Sequence, residues 1–182
     1  MENFDWISYD KMMDKSLQTQ VVHALSEAGL TLATAESCTG GLIAARITDV
    51  SGSSAVFHCG MVTYSNDMKI KMLGVRPETL RDFSAVSAET AKEMADGVRQ
   101  FSGADIAVAV TGNAGPEPSE GKPVGEVYIS LCCGWHQVTL RKELGGRNAG
   151  QKEDLRQQIR FLVSDAALQL VLDAIRIRGK NK

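Results

Sequence analysis

Apolar residues recur at helical spacing near the beginning of the chain. The stripe consists of Leu17, Val21, Leu25 and Ala28. Residues at i, i+4, i+8 and i+11 lie on one face of a helix, so this spacing predicts an amphipathic helix. Gly29 follows directly, and glycine readily takes the left-handed conformation that ends many helices. The short apolar run over residues 30–34 then predicts a buried strand.

The rest of the chain alternates between helical and extended patterns. Helices are predicted over residues 41–47, over 67–73 after an Asn66 cap, from the Ser87 cap onward, and over 155–171. Strands are predicted over residues 55–64 and 105–110, and a hairpin over 127–144 that turns at Gly134. The inner face of the Ser87 helix is predicted to hold Ala91, Met94, Ala95, Val98 and Phe101. That of the last helix is predicted to hold Leu155, Ile159, Leu162, Val163, Ala166, Leu170 and Val171.

This alternation predicts an α/β fold, a three-layer α/β/α sandwich around a mixed, mostly parallel sheet with an antiparallel edge. The chain of 182 residues is long enough for one such domain, over residues 15–178, preceded by an irregular amino-terminal arm over residues 1–14. Ligands in these sheets gather at the carboxyl ends of parallel strands. Ser37, residues 64–69 and residues 111–112 each follow a predicted strand, so we expect them to converge on one cleft.

The composition narrows the class of protein. Twenty basic and 22 acidic residues leave a net charge of -2, which provides no broad positive surface for nucleic acid or an anionic membrane. No apolar run reaches the roughly 18 residues that a spanning helix needs, and the amino terminus lacks the order of a secretory signal. We therefore expect a cytoplasmic protein. The spacing of the cysteines is typical of reduced thiols rather than of disulfides or a zinc site: Cys38, Cys59, Cys132 and Cys133.

Ser37 is the first candidate for chemistry, because it lies where a predicted strand leads into a predicted helix. There it is expected to face unpaired backbone N–H groups and the positive end of a helix dipole, which favour an anion or a developing oxyanion. Gly40 and Gly41 add backbone that a ligand can approach closely. The structural alternative is that Ser37 is a helix N-cap, the commoner role of serine at such a position.

A serine nucleophile needs a base, and the histidines are weak candidates. The patterns favour surface, helix-face or packed positions for them: His23, His58 and His136. A lysine serves instead when burial or nearby positive charge lowers its pKa, and Lys69 follows the second strand, where the cleft is expected. Lys71 lies two residues further along the same helix, so at most one of the two points into the cleft. A solvated surface lysine is the alternative for Lys69.

Three further residues have two readings each. Cys38 is a rival nucleophile whose pKa a helix N-terminus would lower, or else a small core residue. Thr111 can donate to a substrate or satisfy a local backbone carbonyl. Arg147 can offer its guanidinium group to a phosphate or carboxylate, although a lone loop arginine is more often solvated.

Seven short motifs occur in an order that resembles the CinA carboxy-terminal-domain family. They are Ala35-Glu-Ser-Cys-Thr-Gly-Gly41, Tyr64-Ser-Asn-Asp-Met-Lys69, Leu73-Gly-Val75, Ala85-Val-Ser87, Ala109-Val-Thr-Gly112, Ala114-Gly-Pro116 and Lys122-Pro-Val-Gly125. The resemblance covers roughly residues 15–175, and its Glu-Ser-Cys-Thr-Gly-Gly block is highly specific. Stand-alone members of that family are nicotinamide mononucleotide deamidases.

The resemblance implies an amidohydrolase that needs neither metal nor cofactor and that releases ammonia from nicotinamide mononucleotide. Ser37 would be the nucleophile and Lys69 its activating base. The residues implied to bind the substrate are Thr39, Gly40, Gly41, Tyr64, Thr111, Gly112 and Arg147. A small-molecule nucleotide is the implied partner, and the family together with the aromatic amino-terminal arm favours a homo-oligomer.

One segment departs from the family pattern and leaves two hypotheses open. The family usually has Thr-Gly-Ile-Ala-Gly-Pro followed by glycines, whereas residues 111–121 read Thr-Gly-Asn-Ala-Gly-Pro-Glu-Pro-Ser-Glu-Gly. Glu117 and Glu120 place two negative charges in a loop expected near an anionic substrate. The chain is therefore either an active amidase or a catalytically silent member that binds a pyridine nucleotide or a partner protein. A DNA-binding competence factor is a third reading, and the near-neutral charge argues against it.

Overall fold

The structure is a computed structural model that describes residues 16–145 and 152–180, with residues 152–154 described by their backbone alone. The predicted arm, residues 1–14, lies outside the described residues. The helices are α1 (Leu17–Ala28), α2 (Leu42–Thr48), α3 (Asn66–Leu73), α4 (Pro77–Phe83), α5 (Ala88–Ser102) and α6 (Lys152–Lys180). The strands are β1 (Leu32–Glu36), β2 (Phe57–Val62), β3 (Ile106–Gly112), β4 (Glu126–Cys133) and β5 (His136–Glu143).

The strands form one sheet in the order β2-β1-β3-β4-β5. β1 pairs in parallel with β2 and with β3, whereas β4 is antiparallel to both β3 and β5. Four of the five described strands therefore run in one direction, and β4 runs against them. This confirms the predicted mixed, mostly parallel sheet with its antiparallel hairpin, and β3 occupies the centre as its unbroken apolar run predicts.

Helices cover both faces of the sheet, and each face has its own core. On one face, α1, α2 and α6 pack over the larger side chains of β3, which are Ile106, Val108 and Val110. On the other face, α5 packs over the alternating small side chains Ala107 and Ala109. The period of two along a strand explains this division, because successive side chains point to opposite faces. The predicted three-layer α/β/α sandwich is confirmed.

Some predicted boundaries are wrong. Ser65 rather than Asn66 caps α3, because the Ser65 Oγ accepts a hydrogen bond from Met68 N at 3.3 Å. β1 begins and ends two residues later than its apolar run indicates, and a 3-10 turn precedes β2 where an extended segment is predicted. Pro77 does not only follow the end of α3 but begins a helix of its own, α4, because proline fits the first helical turn.

Two predicted core residues lie on the surface instead. Phe101 is 69% exposed near the end of α5, and Leu162 is 46% exposed on α6. Both match the helical period at the edge of an apolar stripe, where periodicity alone does not decide burial. Cys132 and Cys133 pack on opposite faces of the sheet, and all four cysteines are free thiols. No helix among the described residues is long and apolar enough to cross a membrane.

The register of the sheet brings three strand ends to one edge. Glu36, the last residue of β1, pairs with Val62 of β2 and Val110 of β3. The segments that follow these positions therefore start side by side. They contain Ser37, Tyr64 and Thr111, as the order of strands predicts.

Candidate active site

A cavity of about 440 Å³ opens at this edge of the sheet. Its walls come from the turn after β1, the beginning of α3, the segment between α4 and α5, the long loop after β3, and α6. The predicted site residues that line it are Ser37, Lys69, Tyr64, Thr111 and Gly112. Arg147 lies outside the described residues, so its predicted role stays a prediction.

Ser37 is held firmly by its backbone while its hydroxyl stays uncommitted. Ser37 is 9% exposed, and its N–H donates to the carbonyl of Val110 at 3.0 Å. Its carbonyl accepts from Gly40 N at 3.1 Å, which closes the turn. Among the described residues, no hydrogen bond to the Ser37 Oγ is formed. Ser37 is therefore not the N-cap of α2, whose cap position is held by Gly41.

Glu36 fills the helix N-terminus that Ser37 is predicted to face. Its carboxylate is 1% exposed and accepts from the N–H groups of Gly41, Ile43 and Ala44 at 3.0, 3.1 and 2.8 Å. The expectation that an anion or oxyanion binds there is wrong, because the protein's own carboxylate already satisfies these donors. What Glu36 does instead is fix the turn that carries Ser37.

Thr39, Gly40 and Gly41 do not line the cavity. Gly40 and Gly41 have φ angles of 59° and 93°, so they serve the turn that bends back toward the Glu36 carboxylate. Arg160 of α6 donates to the Thr39 carbonyl at 2.7 Å and holds the outer side of the turn. These three residues therefore support the turn that carries Ser37 and do not form part of the cavity wall.

Lys69 is a buried amine without a paired carboxylate among the described residues. It is 1% exposed, and its Nζ donates to the carbonyl oxygens of Thr63 and Tyr64 at 3.1 and 3.2 Å. Desolvation lowers the pKa of Lys69, an effect that the negative charge of Glu120 partly opposes. Lys71 is exposed on the same helix, which confirms that only one of the two lysines points inward.

The two carbonyl contacts of Lys69 suit a neutral amine. A neutral amine has two N–H donors and one lone pair, whereas an ammonium group has three donors and no acceptor. With both N–H groups of the neutral form bonded to Thr63 and Tyr64, the lone pair of Nζ is left for a proton from elsewhere in the cavity. Ser37 lines the same cavity, so the arrangement can supply a general base to its hydroxyl.

The remaining predicted residues have separate roles in the cavity wall. Thr111 Oγ1 donates to the Ala85 carbonyl at 2.7 Å, so its proton is committed and only its lone pairs can meet a ligand. Tyr64 is 61% exposed at the mouth. A Cβ on Gly112 would lie 2.3 Å from a Val127 methyl group, so the close approach of β4 already requires this glycine.

Arg156 is a cavity residue that the sequence patterns miss. It lies on α6, and its guanidinium group donates to the Gly115 carbonyl and to the Tyr64 hydroxyl, the latter at 3.0 Å. Helical periodicity places Arg156 on the polar side of α6 and says nothing about the loop that this side meets. The sequence shows only that Arg156 lies near the start of the helix that follows the hairpin.

Residues 113–120, the loop whose sequence differs from the family pattern, form one side of the cavity rather than lying outside it. The Asn113 amide donates to the carbonyls of Glu117 and Lys122 at 3.0 and 3.2 Å, and its oxygen accepts from Gly115 N at 2.9 Å. The Glu120 carboxylate of the same loop accepts from Ala85 N, in the segment between α4 and α5, at 3.1 Å. Asn113 therefore fixes the shape of the loop, and Glu120 fastens the loop to that segment.

The geometry gives little support to Cys38 as the nucleophile or to a histidine as the base. Burial raises the pKa of Cys38 to about 12, so this thiol is protonated at neutral pH and lacks the thiolate that a cysteine nucleophile needs. His23 and His58 are exposed, and none of the three histidines lines the cavity. No cluster of three or more His, Cys, Asp and Glu side chains suited to a metal ion occurs within residues 16–145 and 152–180.

Comparison with known proteins decides the family. Residues 14–175 match the model of the CinA C-terminal domain. The chain belongs to the CinA C-terminal domain family. It is 56% identical over 119 residues to a CinA-like protein of Geobacter sulfurreducens, covering 65% of this chain and 29% of that protein. It is 45% identical over 175 residues to a CinA-like protein of Chlorobium limicola, covering 91% of this chain and 40% of that protein.

Solved structures show the same fold. The competence/damage inducible protein CihA from Agrobacterium tumefaciens is 42% identical with a TM-score of 0.79, and the match covers 88% of this chain and 93% of that one. A CinA superfamily protein from Escherichia coli is 33% identical with a TM-score of 0.74, covering 86% and 88% of the two chains. The chain thus spans nearly the whole of these structures but only 29% to 40% of the length of the two CinA-like relatives above.

Proposed function

We propose that this protein hydrolyses the carboxamide of nicotinamide mononucleotide to nicotinate mononucleotide and ammonia. The observation that carries the proposal is the shared cavity of Ser37 and Lys69, in which a buried lysine of lowered pKa accompanies an uncommitted serine hydroxyl. A serine next to a desolvated lysine is an established way to activate a hydroxyl nucleophile.

The reaction follows from these two groups. Neutral Lys69 takes the proton of the Ser37 hydroxyl as Oγ attacks the carboxamide carbon. The resulting lysine ammonium then gives a proton to the amide nitrogen, the C–N bond breaks, and ammonia leaves an acyl-serine. Water, deprotonated by the same amine, attacks the ester and releases the carboxylate, which restores the Ser37 hydroxyl. One water is consumed for each ammonia released.

The backbone of the turn supplies a candidate for oxyanion stabilisation. Across the described residues, no oxygen accepts a hydrogen bond from the N–H group of Cys38, a residue that lines the cavity. Cys38 follows Ser37 directly, and backbone N–H groups beside a nucleophile are the usual donors to a tetrahedral oxyanion. The Glu36 carboxylate contributes indirectly, because it holds the turn in place from the other side.

The cavity suits a mononucleotide in size and in charge. Its volume of about 440 Å³ lies within the roughly 300–1,000 Å³ of typical small-molecule sites. Arg156 lines it and can offer guanidinium N–H groups to a phosphate, the anion that the arginine fork matches best. Tyr64, bonded to Arg156, stands at the same end of the cavity.

The proposal is tested by incubating the purified protein with nicotinamide mononucleotide and measuring the release of ammonia and nicotinate mononucleotide. We expect turnover by the wild type and by Lys71→Ala, which changes an exposed lysine of the same helix. We expect none from Ser37→Ala or Lys69→Ala, each shown to be folded by circular dichroism. Retained activity in Ser37→Ala would sink the mechanism.

A catalytically silent nucleotide-binding protein is the second candidate, and the loop favours it. Residues 113–120 line the cavity, and Glu120 brings a carboxylate to a place where an anionic substrate would be repelled. This candidate predicts thermal stabilisation by nicotinamide mononucleotide without ammonia release. Release of ammonia that depends on Ser37 would rule it out.

A further inference from the structure

Glu120 is exposed and places a negative charge on the cavity wall. One of its carboxylate oxygens, Oε2, accepts from Ala85 N at 3.1 Å, and Ala85 is itself held by the hydrogen bond from Thr111 to its carbonyl. Both Ala85 and Glu120 line the cavity with Ser37 and Lys69. The carboxylate is thus bonded to the segment between α4 and α5, which Thr111 in turn ties to β3.

The other oxygen of this carboxylate is available to a ligand. No hydrogen bond or ion pair joins Glu120 Oε1 to any side chain among the described residues. The negative charge of Glu120 reaches the amine of Lys69, because it raises the pKa that burial lowers. A ligand whose reacting carbon lies beside Lys69 therefore also lies within the field of this carboxylate.

We propose that Glu120 makes the cavity selective for amides whose aromatic ring carries a positive charge. A pyridinium amide has its charge on the ring that bears the carboxamide, so placing the carbon at Ser37 and Lys69 brings the charge into the same cavity. The inference rests on the proposed function, because it names the substrate class of that site. On this inference the carboxylate of Glu120 favours substrate binding instead of weakening it.

Arg156 and Glu120 give the cavity wall one charge of each sign. Arg156 is a cation that lines the end beside Tyr64, and Glu120 is an anion fastened to the wall at Ala85. A substrate with a phosphate and a pyridinium ring carries both charges and matches both groups. Repulsion of the phosphate by Glu120 would be the opposite effect. It predicts a change that occurs only for substrates with a phosphate, so it can be measured separately.

Four probes separate these two effects. They are nicotinamide mononucleotide, nicotinamide riboside, and the uncharged 1,4-dihydro form of each, so that ring charge and phosphate vary independently. The readout is kcat/KM for ammonia release by the wild type and by Glu120→Gln, which keeps an oxygen for the Ala85 N–H. The ratio of oxidised to reduced probe is compared between proteins, because intrinsic amide reactivity cancels in that comparison.

We expect Glu120→Gln to lower the preference for the charged ring by about fivefold, the upper range for an exposed charge pair. The drop should occur with and without the phosphate. Glu78→Gln removes an exposed carboxylate from the first turn of α4, outside the cavity, and should keep the wild-type preference. An unchanged ratio in Glu120→Gln, or an equal change in Glu78→Gln, overturns the inference. A gain in Glu120→Gln confined to the two phosphate-bearing probes also overturns it, in favour of repulsion.

Failure of the proposed function is seen separately. If the wild type releases no ammonia from any of the four probes, their binding is measured by titration calorimetry with the wild type and Glu120→Gln. The inference then requires the same fivefold loss of preference in Kd. Equal affinities for charged and uncharged rings in the wild type would contradict it.

Discussion

The Nζ atom of Lys69 lies 3.1 Å from the carbonyl oxygen of Thr63, in a buried position that no carboxylate of the described residues neutralises by an ion pair. Burial disfavours the charged form of an amine, so a buried lysine without a paired carboxylate carries a desolvation cost. The position makes chemical sense when the neutral amine is the working form. The predictions below follow from this relationship and from the contacts around it.

The rate of ammonia release should rise with pH through the lowered pKa of Lys69. The amine acts as a base only when neutral, and burial lowers its pKa while Glu120, and more weakly Cys38, raise it. Glu120→Gln removes the opposing charge, so the pKa falls further and the rising limb of kcat moves to lower pH. The pH profile of kcat measures this. A shift to higher pH, or the same shift in the control Glu78→Gln outside the cavity, would contradict it.

The carboxylate of Glu36 should be important for stability and for activity. Glu36→Ala leaves the buried N–H group of Ile43 and the half-buried N–H groups of Gly41 and Ala44 without acceptors. We expect a loss of about 3 kcal/mol in the free energy of unfolding, from donors left unsatisfied. Urea denaturation at constant m-value gives the number. Glu89→Ala, at an exposed position in the first turn of α5, is the control and should change it by no more than about 0.5 kcal/mol.

Cys38 should prove dispensable as a nucleophile. Burial raises the pKa of its thiol to about 12, so Cys38→Ala should retain most of the ammonia release and lose only stability. A buried cysteine that shrinks to alanine is expected to lower the free energy of unfolding by about 1 kcal/mol. Loss of activity in folded Cys38→Ala, with activity kept in Ser37→Ala, would reverse the assignment of the nucleophile.

Arg156 should act on binding of the phosphate more than on the chemical step. Arg156→Met is expected to raise KM for nicotinamide mononucleotide by about 30-fold, the effect of losing a charge-assisted hydrogen bond. KM for nicotinamide riboside, which has no phosphate, should change much less. Arg176→Met removes an exposed arginine from the same helix and serves as the control. Equal changes for both substrates would mean that Arg156 supports the loop through Gly115 instead.

The convergence of Ser37, Tyr64, Lys69 and Thr111 could be predicted because it depends on local patterns. Apolar runs mark the strands, and the carboxyl ends of parallel strands meet at one edge. The single inward lysine also follows from the helical period, since Lys69 and Lys71 cannot share a face. These rules need only neighbouring residues in the sequence.

Contacts between distant segments could not be predicted in this way. Arg156 meets Gly115 across 41 positions of the sequence, and only the packing of α6 against the long loop brings them together. Glu36 has no sequence signal for burial, because a carboxylate at the end of a strand is normally exposed. Its role depends on the turn at Gly40 and Gly41, which returns the helix N-terminus to it.

The central claim is that Ser37 and Lys69 act as one unit, and a double-variant comparison of kcat/KM tests it most directly. Ammonia release from nicotinamide mononucleotide is measured for the wild type, Ser37→Ala, Lys69→Met and the double variant, each shown to be folded. Groups that act together give losses that do not add, so the double variant should be no slower than either single variant. Losses that multiply in the double variant, or activity that survives in Ser37→Ala, would contradict the mechanism.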